Sequence, residues 1–297
     1  VPLDIMVPYW GDPGLMRLTV ESVLAQTSDG WTLTVVDDAY PDPAVGQYIT
    51  GLGHDQVRYV RNEENLGITA NYRRCLELAT NDLVVFLGSD DLLSPTYVAT
   101  VASAAEQHPE ATVIQPGVQV VDGHGRPVST LVDSVKHLLR PRCRAPRLLS
   151  GEPAVVTLMH GDWLYWPSLV FRRDVLARTG FRDGFPFVQD LAVVVDILMA
   201  SGSLLCLPDV CFTYRRHARS ASSMSLLDGS RFAGERRYFT LAAAQASRLG
   251  WSRARRAARL HVTSRAHALA LFPAAGRARD ATAVRHLVRH AFGPGEP

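Results

Sequence analysis

Four short apolar runs, at residues 3–7, 32–36, 57–60 and 83–87, alternate with stretches whose apolar side chains recur at helical spacing. Runs this short, rich in Val, Ile and Leu, suit strands buried on both faces, while a period near 3.6 suits amphipathic helices. Alternation of the two predicts an α/β fold built on a mainly parallel, doubly wound sheet. At 297 residues, 47% of them hydrophobic, the chain can fill a sizeable core.

Local punctuation places the helices. Gly11-Asp-Pro-Gly14 stops the first strand, and Leu15, Leu18, Val23 and Leu24, with Thr19 and Ser22 between them, give the next helix its apolar face. Tyr40-Pro-Asp-Pro43 precedes a short helix over 44–52, and a further helix is expected over 68–79. Ser94-Pro95 offers an N-cap and a first-turn proline for a helix reaching about residue 107. Beyond residue 115 the pattern weakens: 118–122 with Gly123-His-Gly125 suggests a hairpin, 141–146 a surface loop, 163–171 an aromatic strand, 188–200 a helix and 204–207 a strand. From Gly229 the chain reads as helical, with stops at Gly250, Pro273 and Gly293-Pro294. The expected divisions are 1–115, 116–225 and a C-terminal helical extension over 226–297.

Two of the strand runs end in adjacent carboxylates, Asp37-Asp38 and Asp90-Asp91. Neighbouring anions disfavour each other's ionisation unless a cation or hydrogen-bond donors compensate. In open parallel sheets, ligands bind outside the carboxyl ends of the strands, so one site can draw on both pairs. Mg2+ or Mn2+ takes one or two protein carboxylates and completes its shell with water and substrate phosphates, which makes a nucleotide diphosphate the natural third party. The alternative is that each pair is only a turn with a satisfied Asx bond. No GxGxxG follows the first strand and there is no GxxxxGK[ST], so neither a dinucleotide fingerprint nor a P-loop accounts for phosphates.

Charge narrows the partners. Lys and Arg number 31 against 29 Asp and Glu, which gives no case for nucleic acid. The end is different: from Arg231 onward thirteen arginines face only Glu235, Asp280 and Glu296. A solvated helical surface, a homodimer contact and an anionic membrane or acceptor surface are the three readings of that segment. Cys75, Cys143, Cys206 and Cys211 form no CxxC pair, which suits a reducing compartment. No apolar run approaches the ~20 residues of a membrane span. No signal-peptide pattern is visible ahead of the first strand, and the expected location is cytoplasmic.

Five segments in order resemble a known signature: Val7-Pro-Tyr9, Val35-Val-Asp-Asp38, NEENLG over 62–67, Phe86-Leu-Gly-Ser-Asp-Asp91, and Tyr214-Arg-Arg-His217 followed by Ser220. Together they look like family 2 inverting glycosyltransferases with the GT-A fold, over roughly residues 3–223. The resemblance implies a hexosyltransferase-type enzyme that moves a sugar from a nucleotide-diphosphate donor, UDP or dTDP type, to a hydroxyl of a small natural product or glycan.

Carried over position by position, the resemblance implies that Pro8 and Tyr9 line the nucleobase pocket and that Asp38, beside Asp37, binds base or ribose. Asn65 and Gly67 shape the adjoining loop. Asp90 and Asp91 contact the ribose and a divalent cation, Mn2+ or Mg2+, which His217 approaches. Arg215 neutralises the diphosphate or pairs with an aspartate, and Asp190 in Phe187-Val-Gln-Asp-Leu191 holds the base position. Asp162 and Asp183 are the fallback bases, and an N-cap is the bland reading of Asp190. In the segment 161–168, Trp163, Tyr165 and Trp166 are candidates to stack on an acceptor, Trp166 foremost, with core packing as the alternative. Three departures stand out: Gly88 and Gln189 replace acidic residues, and Tyr72-Arg73 replaces an Arg-Asn pair, for which Asn71 is the local polar substitute. His286 and His290, four apart on a helix, read as a solvated face rather than a zinc site.

Two other functions fit parts of the pattern. A sugar nucleotidyltransferase has a related fold but resembles a Gly-rich first loop with lysines around phosphates, whereas Lys136 is the only lysine here. A degenerate nucleotide-binding domain would account for Gly88 and Gln189.

Overall fold

The computed structural model describes residues 1–216, 230–277 and 281–293; His217 and Ser220 lie outside them. Strands β1 (Leu3–Tyr9), β2 (Trp31–Asp37), β3 (Val57–Arg61) and β4 (Leu83–Phe86) pair in the order β3-β2-β1-β4, all parallel. Helices α1 (Pro13–Leu24), α2 (Ala44–Gly51) and α3 (Ile68–Leu78) make the crossovers. Past β4 the sheet becomes mixed. There β8 (Val170–Arg172) lies antiparallel between β4 and β6 (Val113–Val121), and β6 runs parallel to β9 (Ser203–Arg215). The short strands β5 (Leu92–Leu93) and β7 (Arg147–Ser150) pair antiparallel with β9. The boundary expected after residue 115 falls inside β6, so both halves share one sheet.

Alternation along the strands divides the core. Ile5, Val7, Leu33, Val35 and Val85 point to α1, α2 and α4 (Tyr97–Gln107). Met6, Val36, Val84 and Phe86 point the other way, to α3, α6 (Gly151–His160) and α8 (Gln189–Met199). Helices therefore cover both faces, and the loops at the strand ends are left to carry chemistry. Between these elements lie α5 (Leu131–Leu139) and α7 (Arg173–Thr179). After β9 come α9 (Ser230–Arg248), α10 (Ser252–Leu260), α11 (Val262–Arg277) and α12 (Ala281–Phe292).

Several local expectations change. The buried face of α1 is Met16, Thr19, Val20 and Val23, while Leu18 is exposed; Asp12 caps the helix one residue before Pro13 and so sets its phase. Ser94 and Pro95 form a turn and not a cap: α4 starts at Tyr97, and the carbonyls of Ser94 and Pro95 serve Gln26 and Thr27. Of 163–171 only Val170 and Phe171 are strand, at the start of β8, because Pro167 sits in a 3-10 turn at Trp166–Ser168. Pro273 lies inside α11 rather than ending a helix, and the unforeseen break falls at His261, whose φ is +27°. The turn around Gly123 appears as expected, with Val121 bridged to Pro127. The cysteines are free thiols. No helix among the described residues is long and apolar enough to cross a membrane.

Candidate active site

The parallel register carries Asp37 and Asp38 to the carboxyl edge beside Tyr9, where the Asp38 N–H donates to the Tyr9 carbonyl at 3.1 Å. One strand over, the Leu87 N–H donates to the Met6 carbonyl, which brings the Gly88-to-Asp91 loop to the same edge. The two acidic pairs thus flank β1, as the strand order requires.

Their roles differ. Asp37 is fully buried and accepts from Tyr59 Oη, Arg61 Nη1 and the Tyr40 N–H at 2.5, 2.8 and 2.7 Å. The structure corrects the expectation that it meets the donor, because its oxygens hold β3 and the following loop. Asp38 accepts from Asn62 Nδ2 at 2.8 Å, the Leu66 N–H at 2.9 Å and the Gly67 N–H at 2.9 Å. A carboxylate has about four lone-pair sites, so one remains for a ligand. Asn65 Oδ1 also accepts from the Gly67 N–H, and Gly67, at φ +81°, turns the chain into α3 in a conformation most side chains resist. Asn71 is buried; it accepts from Asn62 and donates to the Val36 carbonyl, which corrects its reading as a donor-facing substitute.

Asp91 is buried, with its Oδ1 accepting from the Arg215 N–H at 2.8 Å. Burial first, and then the charge of Asp90, push its acid well above the ordinary carboxylate range, against the opposing effect of Arg215. A Cβ placed on Gly88 would lie 2.5 Å from Asp91 Oδ2 and 3.1 Å from Asp90 Oδ1. Oxygens from both carboxylates therefore converge on space that a side chain would fill. Hard oxygen donors of like charge, brought this close together, suit a divalent cation. Among the described residues no group of three or more His, Cys, Asp or Glu has metal-binding geometry. Arg215 does not face outward: its Nε donates to the Asp90 carbonyl at 2.9 Å and its Nη1 to the Gly123 carbonyl at 3.3 Å. Of the two roles expected of it, at the diphosphate or on an aspartate, these bonds serve the second, and they hold the acidic loop against β9.

Asp190 is the second residue of α8 and does not cap it; its Oδ1 accepts from the Leu191 N–H at 2.8 Å. Burial and then the charge of Asp162 push its acid up to about 7, against the Leu191 N–H, Lys136 and Arg231. Lys136 Nζ lies 3.6 Å from Asp162 Oδ2 and donates to the Leu164 carbonyl. Gln189, the neighbour of Asp190, accepts from Thr69 Oγ1 at 2.8 Å, so the start of α8 is fastened to the start of α3 just after Gly67. The Tyr72 hydroxyl is raised mainly by burial, against the opposing effect of Trp166, with smaller contributions from Cys75, Asp190 and Asp91. Asp183, a fallback base, is excluded by geometry: its side chain is 88% exposed and pairs with Arg73 at 2.6 Å.

The aromatic expectations divide. Trp166 is buried against Phe86, Phe171, Phe181 and Tyr72, so core packing replaces acceptor stacking. Tyr9 is fully buried, with its hydroxyl donating to the Gly11 carbonyl, and it can only back a pocket, whereas Pro8 keeps partial exposure. Trp10, 51% exposed and edge-on to Tyr40, is the ring open to a ligand; a tryptophan directly after a strand-ending Val-Pro-Tyr was the signal for it. A second missed feature is Asp133, which accepts from Arg216 at 2.6 and 2.8 Å and from Tyr165 Oη at 3.0 Å. Burial pushes the Asp133 acid up, but Arg216 and the Thr130 hydroxyl more than offset it and leave it below the ordinary range. His290 is fully buried, with Nε2 2.6 Å from Ser264 Oγ, and burial lowers its pKa to about 4, which corrects the reading of a solvated face.

The model of Glycosyl transferase family 2 matches residues 4–161, which include both acidic pairs and end one residue before Asp162. The chain belongs to glycosyl transferase family 2. Among its relatives, uncharacterized protein y4gI of Sinorhizobium fredii is 31% identical over 115 residues, 38% of this chain and 13% of that protein. Uncharacterized protein MT1568 of Mycobacterium tuberculosis is 24% identical over 236 residues, 76% of this chain and 70% of that protein. The chain thus spans only a small part of the first relative and most of the second. The structure of S. aureus TarS 1-349 in complex with UDP-GlcNAc superimposes with a TM-score of 0.65 at 14% identity, covering 82% of this chain and 66% of that one. At that identity the likeness concerns the fold, which is the GT-A arrangement with helices appended at the C-terminal end.

Proposed function

We propose that this family 2 chain transfers a glycosyl group, with inversion, from a nucleotide-diphosphate sugar to an acceptor hydroxyl, with Asp190 as general base. The observation that carries the reading is Asp190 itself: a carboxyl raised to about 7 by burial and Asp162, on a helix start fastened beside the Asp38 loop. A base with a pKa near the working pH both is deprotonated and accepts a proton readily. Asp190 takes the acceptor proton while the hydroxyl oxygen attacks the anomeric carbon from the face opposite the diphosphate.

The donor reading rests on the carboxyl edge of the sheet. Asp38 offers its remaining lone pair to base or ribose, Trp10 offers an open ring, and the Asp38-held loop fixes the wall at Gly67. Asp90 and Asp91 would hold a divalent cation, which supplies positive charge to the diphosphate as it leaves. Arg215 keeps that pair in place through backbone contacts. Binding of UDP-GlcNAc by TarS makes a uridine nucleotide sugar the first donor to try.

The test is release of nucleoside diphosphate from a panel of UDP- and dTDP-sugars with manganese, by the parent chain and by Asp190→Asn. Turnover by the parent, lost in the variant and in excess chelator, is expected. Equal turnover by Asp190→Asn would remove the base assignment, and pyrophosphate with sugar 1-phosphate as products would point to nucleotidyl transfer.

A further inference from the structure

We propose that the helical C-terminal end carries a docking surface for an anionic lipid bilayer, centred on α10. Between Glu235 and Asp280 the chain has no acidic residue. In α10 the apolar side is Ala254, Ala257 and Ala258, buried against the rest of the molecule, and the outer side is Arg253, Arg255, Arg256 and Arg259, all exposed. None of these four side chains takes part in an ion pair or hydrogen bond among the described residues. The carboxylate against this helix, Glu152 of α6, is turned to its N-terminus, where it accepts from the backbone N–H groups of Arg253 and Ala254 at 2.7 and 3.0 Å. The field of the arginines is therefore left for an external anion.

Exposed aliphatic side chains stand at both ends of this basic face. Leu249 precedes α10 and is 45% exposed, Leu260 ends the helix at 46% and Val262 follows at 52%. Gly161 packs between Leu139 and Thr263, its Cβ position lying 2.7 Å from Thr263 Oγ1. Thr263 Oγ1 also donates to the His160 carbonyl, so α10 runs alongside α6 from its Glu152 end to its His160 end. Arginines bordered by leucine and valine fit phosphate headgroups above an acyl boundary. A polynucleotide would satisfy the arginines but leave the aliphatic side chains without an apolar partner, so the bilayer is the better complement. The patch joins the body of the molecule next to Asp162, two residues beyond His160.

Co-sedimentation of the full chain with vesicles of phosphatidylcholine, with and without phosphatidylglycerol, tests this. Binding to the anionic vesicles alone, weakening as salt rises, is expected. Arg255→Glu/Arg256→Glu/Arg259→Glu is expected to lose more than about a hundredfold in affinity, since each surface arginine contributes a factor of about five and each glutamate adds repulsion. If that variant fails to fold, the milder Arg255→Gln/Arg256→Gln/Arg259→Gln serves, and Leu260→Ser/Val262→Ser is expected to lower the binding that survives at high salt. Equal binding to neutral vesicles, no binding at low salt, or full binding by a folded charge variant overturns the proposal. Tighter binding to duplex DNA than to anionic vesicles overturns the choice of a bilayer. None of these outcomes depends on sugar transfer.

Discussion

The backbone N–H of Arg215 donates to Asp91 Oδ1, and its side chain returns to the Asp90 carbonyl, so the end of β9 grips both halves of the acidic pair from 124 residues away. Arg215→Ala keeps the backbone link and removes the side-chain one. A hydrogen bond from a charged donor contributes about 1.5–3 kcal/mol, so donor KM is expected to rise about tenfold or more while kcat changes less. An unchanged KM would show that the loop holds itself.

Gly88 faces both carboxylates at a distance that admits no Cβ unless Asp91 moves, and Asp91 is held by Arg215. Gly88→Ala is therefore expected to weaken manganese-dependent nucleotide binding by about tenfold, and Gly88→Asp by more, although the resemblance implies an acidic residue there. Metal-dependent thermal shifts with UDP would measure it. A gain in affinity for Gly88→Asp would mean that the pair can open.

Asp38 satisfies two loop N–H groups and Asn62 at once. In Asp38→Asn an amide NH2 must meet one of those donors, leaving a buried group unpaired at a cost of about 1–3 kcal/mol. A thermal midpoint several degrees lower is expected, together with loss of donor binding. A midpoint within one degree of the parent, on the order of measurement error, would contradict the accounting.

As the proposed base, Asp190 is expected to couple activity and stability to pH in opposite directions. Its acid is raised to about 7 in the fold, against about 3.9 in an unfolded chain. The folded state then holds a proton that the unfolded state has released, so this stabilisation is full below about pH 4 and is lost as pH rises through about 7. Asp190→Asn has no such charge to bury and is expected to melt above the parent at about pH 8, the gap closing toward about pH 5. Transfer by the parent is expected to fall about tenfold per pH unit below the Asp190 value.

The alternation of short strands and helices was legible because strands buried on both faces must be continuously apolar, and the first four of the quoted segments lie where that alternation puts strand ends. What escaped was set by contacts between distant segments. Asp37 and Asp38 are adjacent and look alike, yet Arg61 and Tyr59 claim one and the Gly67 loop claims the other. Trp166 reads as a sugar platform until Phe86 and Phe181 close around it. The pairing of Asp133 with Arg216 spans 83 residues, and no local pattern announces it. His290 looked solvated because helical spacing says which residues share a face but not which face is inside.

The central claim is that Asp38, Asp90 and Asp91 surround one nucleotide-diphosphate site that needs a divalent cation. Calorimetric titration of UDP into the parent chain and into Asp91→Ala, with manganese and then with excess chelator, tests it most directly. Saturable binding by the parent, abolished by chelator and by the substitution, is the predicted result. Equal affinity in a folded Asp91→Ala, with or without manganese, would contradict it.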